Sequence, residues 1–192
     1  MEEERVKTAL ELAMERISGL PELTPEEIAE QKEKEYRPVG EALAGRYMRD
    51  IIGEQDIPAE LSRHQGDSGP IVRRAFISSL CRAIQLEDFQ MTVKALNGLY
   101  SLAGNTEGVR EKANAVWIEI VDGFQKRKNK TLQECEASEK EKLAALGISG
   151  SAIRPNLGAN ESLKKEMEQL YRSFEPGLEK LRAMFLRKLQ AE

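Results

Sequence analysis

The chain has 192 residues, 40% of them hydrophobic and 32% charged, with 29 Lys and Arg against 33 Asp and Glu and a formal net charge of −4. That length supports a buried core without disulfides or metals, and charged excess with few aromatics is the composition of a helix-rich protein with much surface. The negative balance disfavours nucleic acid as a partner, and no segment approaches the roughly 18 apolar residues that span a bilayer, so a cytoplasmic protein without membrane contact is expected.

Val6, Leu10, Ala13 and Ile17 fall on one face and predict a first helix over about 3–18, closed by Gly19 and Pro21. Thr24-Pro25-Glu26-Glu27 is a capping-box start signal with proline at the first helical position, opening a second helix that runs to about Tyr36. Pro38 is expected to interrupt, and Val39, Leu43, Tyr47 and Ile51 mark a third helix ending near Gly53. A helical turn starts at Pro58. From Pro70 to Ile84 little polar surface is left, so this helix is the candidate core, capped by Asp67 or Ser68.

The next helix, over about 87–103, supplies Phe89, Val93, Leu96, Leu99, Tyr100 and Leu102 and stops at Gly104-Asn105. Thr106 can cap the succeeding helix. From there to Leu146 no proline occurs, which allows one helix of about 40 residues, or roughly 60 Å. Its first half is densely apolar, with Val109, Ala113, Val116, Trp117, Ile120, Val121 and Phe124; beyond Phe124 the stripe thins to Leu132, Cys135, Leu143 and Leu146, enough for one partner helix. The return helix, over about 161–190, carries Leu163, Met167, Leu170, Phe174, Leu178, Leu181, Phe185 and Leu189. Their mean spacing is close to an 11-residue repeat and predicts a nearly straight antiparallel pair, with a kink expected at Pro176.

The fold class expected is therefore all-α: an irregular helical bundle with a long projecting antiparallel helical hairpin. The body comprises residues 1–124, completed by about 176–192; the hairpin comprises 125–175, with a tip loop at 147–160.

No constellation indicates catalysis. Gly66-Asp67-Ser68-Gly69-Pro70 resembles the segment around the nucleophilic serine of trypsin-like proteases, but over five residues, and a helical chain lacks the β-barrel and the separately placed His and Asp that such a site needs. His64, the one histidine, has only Glu60 one turn away, and Cys81 and Cys135 have no companions at ligand spacing, so neither a metal nor a cofactor is expected. Ser162 and Lys165 copy the spacing of a serine–lysine acyl-transfer pair without its partner motifs. Asn129 and Asn160 open Asn-x-Ser/Thr matches that a cytoplasmic chain would not use. Lys126-Arg127-Lys128-Asn129-Lys130 is the one concentrated basic run, balanced by Glu134, Glu136, Glu139 and Glu141 as a solvated helix face.

The tip is longer than a connector between antiparallel helices needs. Its Ile148, Ser149, Ile153, Arg154, Asn156 and Leu157 are the candidate interaction residues, and amides near Gly147 and Gly150 could take an anion. The function expected is non-catalytic: a protein–protein interaction or scaffold module acting through hairpin and tip on an unidentified protein partner, with a homodimer as the simplest version. The alternative is a small-molecule-binding or enzymatic bundle with a pocket in the body, involving Tyr36, Arg37, Arg46, Tyr47 or the Arg73-Arg74 pair. Nucleic-acid binding through the basic run ranks last.

Overall fold

The computed structural model describes residues 8, 9, 14, 24–103, 108–148, 150 and 154–189. The helix expected over 3–18 and the cap expected at Thr106 fall, all but three residues, outside that set. Among the described residues there is no strand; six α-helices follow one another as α1 (Pro25–Met48), α2 (Ile57–Ser62), α3 (Ser68–Arg82), α4 (Phe89–Ala103), α5 (Val109–Ala145) and α6 (Glu161–Leu189), with 3-10 turns at Glu54–Asp56 and Leu157–Ala159. None of them is long and apolar enough to cross a membrane.

α1 starts as its sequence dictates. The Glu27 amide donates to Thr24 Oγ1 at 3.2 Å and the Thr24 amide donates to Glu27 Oε2 at 2.8 Å, a reciprocal box that contributes about 1 kcal/mol. It does not stop at Pro38: one helix replaces the two expected. Pro38 lies on the exposed face, as does Lys34, whose carbonyl loses its donor and is left facing water. The buried residues Gly40, Leu43, Ala44 and Tyr47 then hold the second half of the helix in place. α1 also ends earlier than expected, at Met48. Asp50 adopts a left-handed φ of 60°, and the Ile51 amide returns to the Arg46 carbonyl at 2.9 Å, closing the end and leaving Ile51 58% exposed instead of in the core.

α1 and α3 run side by side in the same direction, Glu33 pairing with Arg74 and Glu41 with Arg82. Their backbones nearly touch at Gly40, where a Cβ would sit 2.3 Å from the Val72 carbonyl oxygen and 2.7 Å from Ala75 Cβ. α3 is buried as predicted, through Val72, Ala75, Phe76, Ile77, Leu80 and Cys81, but it opens at Ser68 and no side chain caps it: Asp67 instead pairs with Lys32 at 2.6 Å, and Ser68 donates to the Gln65 carbonyl. α4 turns back against α3 through Thr92, fully buried, whose hydroxyl accepts from the Gln85 amide at 2.9 Å and donates to the Gln85 carbonyl at 2.7 Å. Val93, expected inside, is 47% exposed.

α5, 37 residues and so about 55 Å long, is antiparallel to α6. Phe124 stacks edge-on against Phe174 at 5.7 Å and lies 5.1 Å from the ring of Tyr171, while near the far end Glu139 meets Asn160. Phe124 is the last buried residue of α5; α6 is buried along its length through Leu163, Leu170, Leu178, Leu181, Phe185 and Leu189. α6 continues through Pro176 for the same reason that α1 survives Pro38: Pro176 and Arg172, whose carbonyl loses its bond, are both exposed, and packed residues flank the break. One apolar cluster joins α1, α3, α4, α5 and α6.

The contact at Gly40 gives a direct check. Gly40→Val forces α1 off α3 and lowers the unfolding free energy in urea by about 2–3 kcal/mol. Gly45→Ala, whose Cβ would meet only the tip of Arg49 at 3.8 Å, leaves stability unchanged or raised.

Candidate functional site

The tip contains a capping motif. Gly147, at φ 80°, closes α5: its amide donates to the Ala144 carbonyl at 2.9 Å, and the Ile148 amide to the Leu143 carbonyl at 3.0 Å. Those two amides are engaged with helix carbonyls, so the anion site expected around Gly147 is not formed by them. Ser149 and Ile153 lie outside the described residues. Ile148 is 51% exposed, Arg154 and Asn156 are exposed and Leu157 is half-buried in the 3-10 turn. Exposed apolar side chains occurring singly are ordinary on a protein surface, so Ile148 does not by itself mark a docking site.

Asn160, absent from the candidates that the sequence suggests, organises this region. Its Oδ1 caps α6 by accepting from the Leu163 amide at 2.9 Å, and its Nδ2 reaches across to Glu139 Oε1 at 3.0 Å and Cys135 Sγ at 3.4 Å. It ties the two helices where neither has a dense core. The signal is present in the sequence: an Asn immediately before a predicted helix start is an N-cap.

The motifs discounted for catalysis are occupied otherwise. Glu60 pairs with Arg63 at 2.7 Å and Arg46 at 3.6 Å, and no group of three or more potential metal ligands occurs among the described residues. Ser162 donates to Glu166 Oε1 at 3.2 Å. Burial raises the Cys81 thiol to about 12, against a smaller opposing effect of Arg182, which keeps it protonated and inert at neutral pH. Of the body residues expected around a pocket, Tyr47 is part of the core, its hydroxyl donating to the Lys94 carbonyl at 2.8 Å, whereas Arg37 and Arg74 line a cleft between α1, α3 and α6.

A larger concavity lies elsewhere, along the seam of α5 and α6. It measures about 620 Å³, within the usual span of ligand sites, and has an apolar floor of Val116, Ile120, Phe174, Leu181 and Met184. Gly123 and Gly177 create its depth: without side chains, each exposes the partner helix's Phe174 or Ile120 to the groove. Its charged members are Arg127, Lys180 and Glu119. The Arg127 guanidinium lies 5.3 Å from the centre of the Phe174 ring, a cation–π contact that holds the charge at the distal end of the apolar floor. Part of the basic run thus belongs to a groove and is not only a solvated face; Lys130, by contrast, pairs with Glu134 at 3.7 Å.

No family model, no curated protein and no solved structure matches this chain.

Tyr47 provides a pH test of the core beside these sites. Burial, then the charges of Glu54 and Asp50, raise its phenol to about 12. A raised folded value means that the stability it contributes is complete below the ordinary tyrosine value near 10 and is lost as pH climbs from there through about 12. Urea midpoints should begin to fall above about pH 9, where the Cys81 thiol ionises in the unfolded chain, and fall further above about pH 10, and Tyr47→Phe should reduce the part of the fall above pH 10.

Proposed function

We propose that the protein is a non-catalytic binding module that takes an amphipathic helix of a partner protein into the groove between α5 and α6. The observation that carries this reading is the groove itself: an apolar floor deepened by two glycines, with a cation fixed at one end. Helix-in-groove recognition needs such a trough, since apolar residues recurring every three or four positions insert between two helices as a third would.

Charge sets the chemistry of the occupant. At the body end Lys180 and Glu119 offset each other, whereas at the other end Arg127 is flanked on the same helix by Lys126 and Lys128. An occupant with carboxylates at the Arg127 end meets favourable potential there. Acidic residues also favour the N-terminus of their own helix, so the partner helix starts near Arg127 and runs parallel to α6 toward Met184. From Arg127 to Lys180 the floor extends about 15 Å, or three turns, given that Gly177 faces Ile120.

The test is fluorescence anisotropy with a synthetic amphipathic helix carrying glutamates in its first turn and a Leu/Phe face, beside the same peptide with lysines in their place. Micromolar binding of the acidic peptide is expected, weakened tenfold or more by Arg127→Glu, with thermal stability changed little because the charge is exposed. Equal binding of both peptides, or of neither, would overturn the reading. A dimer that Arg127→Glu dissociates would make a second copy of the chain the occupant and would equally end the partner-protein reading.

A further inference from the structure

The cleft between α1, α3 and α6 is distinct from the groove and stands independently of it. It is a half-open cleft of about 400 Å³ that brings together Glu33, Arg37 and Glu41 from α1, Arg74 and Arg82 from α3, and Arg182 from α6. Four arginines thus face two carboxylates in a protein whose overall charge is −4. Ion pairs occupy part of this set: Arg74 with Glu33, Arg37 Nε with Glu41 Oε1 at 3.1 Å, and Arg82 Nη2 with the same Oε1 at 3.0 Å. Arg182 pairs with Glu175, outside the cleft, and donates to the Ile84 carbonyl, while its Nε is buried with no acceptor.

Two details make this more than a surface ion-pair network. Both guanidinium groups meet Glu41 through a single oxygen, so neither makes the two-pronged contact that suits arginine to a carboxylate or phosphate. That oxygen also marks a point within hydrogen-bond reach of two cations carried by different helices, which is the requirement for holding an oxyanion. The hydrogen bonds from Arg82 and then Arg37 hold the Glu41 carboxyl below the ordinary carboxylate range, so it is charged at neutral pH and acts as an internal stand-in for an anion. The rest of the wall includes Ser78, Ala75 and Leu186, a hydroxyl and apolar surface suited to a small carbon frame.

We propose that this cleft binds a small organic phosphate, its phosphoryl group displacing Glu41 from Arg37 and Arg82. A tetrahedral phosphoryl presents three oxygens, enough to engage both guanidinium forks where the carboxylate offers one atom to two donors. The 400 Å³ exceeds what a bare phosphate fills, which assigns the remainder to the organic part.

Phosphate titration, followed through the arginine side-chain NMR signals of the full chain, tests this, with sodium chloride at matched ionic strength as control and phenyl phosphate as the organic probe. Saturable shifts are expected at Arg37 and Arg82, with a dissociation constant of about 1 mM or below for inorganic phosphate and tighter for phenyl phosphate. Arg82→Gln should weaken binding tenfold or more. Glu41→Gln is the decisive variant: it removes the competing carboxylate and should raise phosphate affinity severalfold, whereas a cluster that only staples α1 to α3 would lose stability and gain no affinity. Unsaturable shifts matched by chloride, or no gain in Glu41→Gln, overturn the proposal.

Discussion

The structure depends on the apolar stripe of α6, which serves two partners at once. Its later half inserts Leu178, Leu181, Phe185 and Leu189 into the core with α3 and α4, and its earlier half pairs with α5 through Leu163, Leu170 and Phe174. Were α6 to break at Pro176, these two sets of contacts would be uncoupled. It does not break because the proline sits on the water side, where a carbonyl without a donor can be hydrated, while burial on the opposite face fixes both halves in one line. Arg182 reinforces the joint by reaching back from α6 to the Ile84 carbonyl at the end of α3.

That arrangement also explains where concavities form. Helices held by a narrow stripe leave their flanks uncovered, and where a glycine lies opposite a large apolar residue the flank deepens into a trough. Gly123 and Gly177 do this along the α5–α6 seam. In the body, the close approach of α1 to α3 at Gly40 lets the longer residues on either side, Arg37 and Glu41 with Arg74 and Arg82, converge over one opening. One kind of residue thus produces an apolar trough in one place and a charged cleft in another, according to what surrounds it.

Helical periodicity makes most of the fold legible. The elements with an unambiguous apolar stripe, α3, α5 and α6, appear with nearly their expected bounds, and the Thr24 capping box starts α1 at the expected residue. Differences arise where a local rule is applied without knowing which way the residue faces. Pro38 looks like a break because its exposure cannot be seen in one dimension, and Asp67 looks like a cap because the reach of Lys32 from 35 positions away leaves no mark in sequence. Ile51 extends the stripe arithmetically although Asp50 has already turned the chain. The sites are less legible still. The groove depends on glycines carried by two helices far apart in sequence, and the cleft on arginines from three separated segments that count in composition only as charge. Arg37 and Arg74 are recognisable as pocket candidates, but without the packing of α1 on α3 nothing links them to Arg82 or Arg182.

The order of the helices along the chain has a consequence for biosynthesis. α1, α3 and α4 can pack on one another once α4 has emerged, and Phe89 of α4 meets Trp117, but Ile120 and Phe124 on α5 find covering residues on α6, which is translated after every other described helix. During that interval the nascent protein displays an apolar edge at Ile120 and Phe124 that the finished one conceals. The time taken to translate residues 125–174 is therefore the period in which Phe124 waits for Tyr171 and Phe174 and in which this polypeptide is most exposed to chaperones and to aggregation.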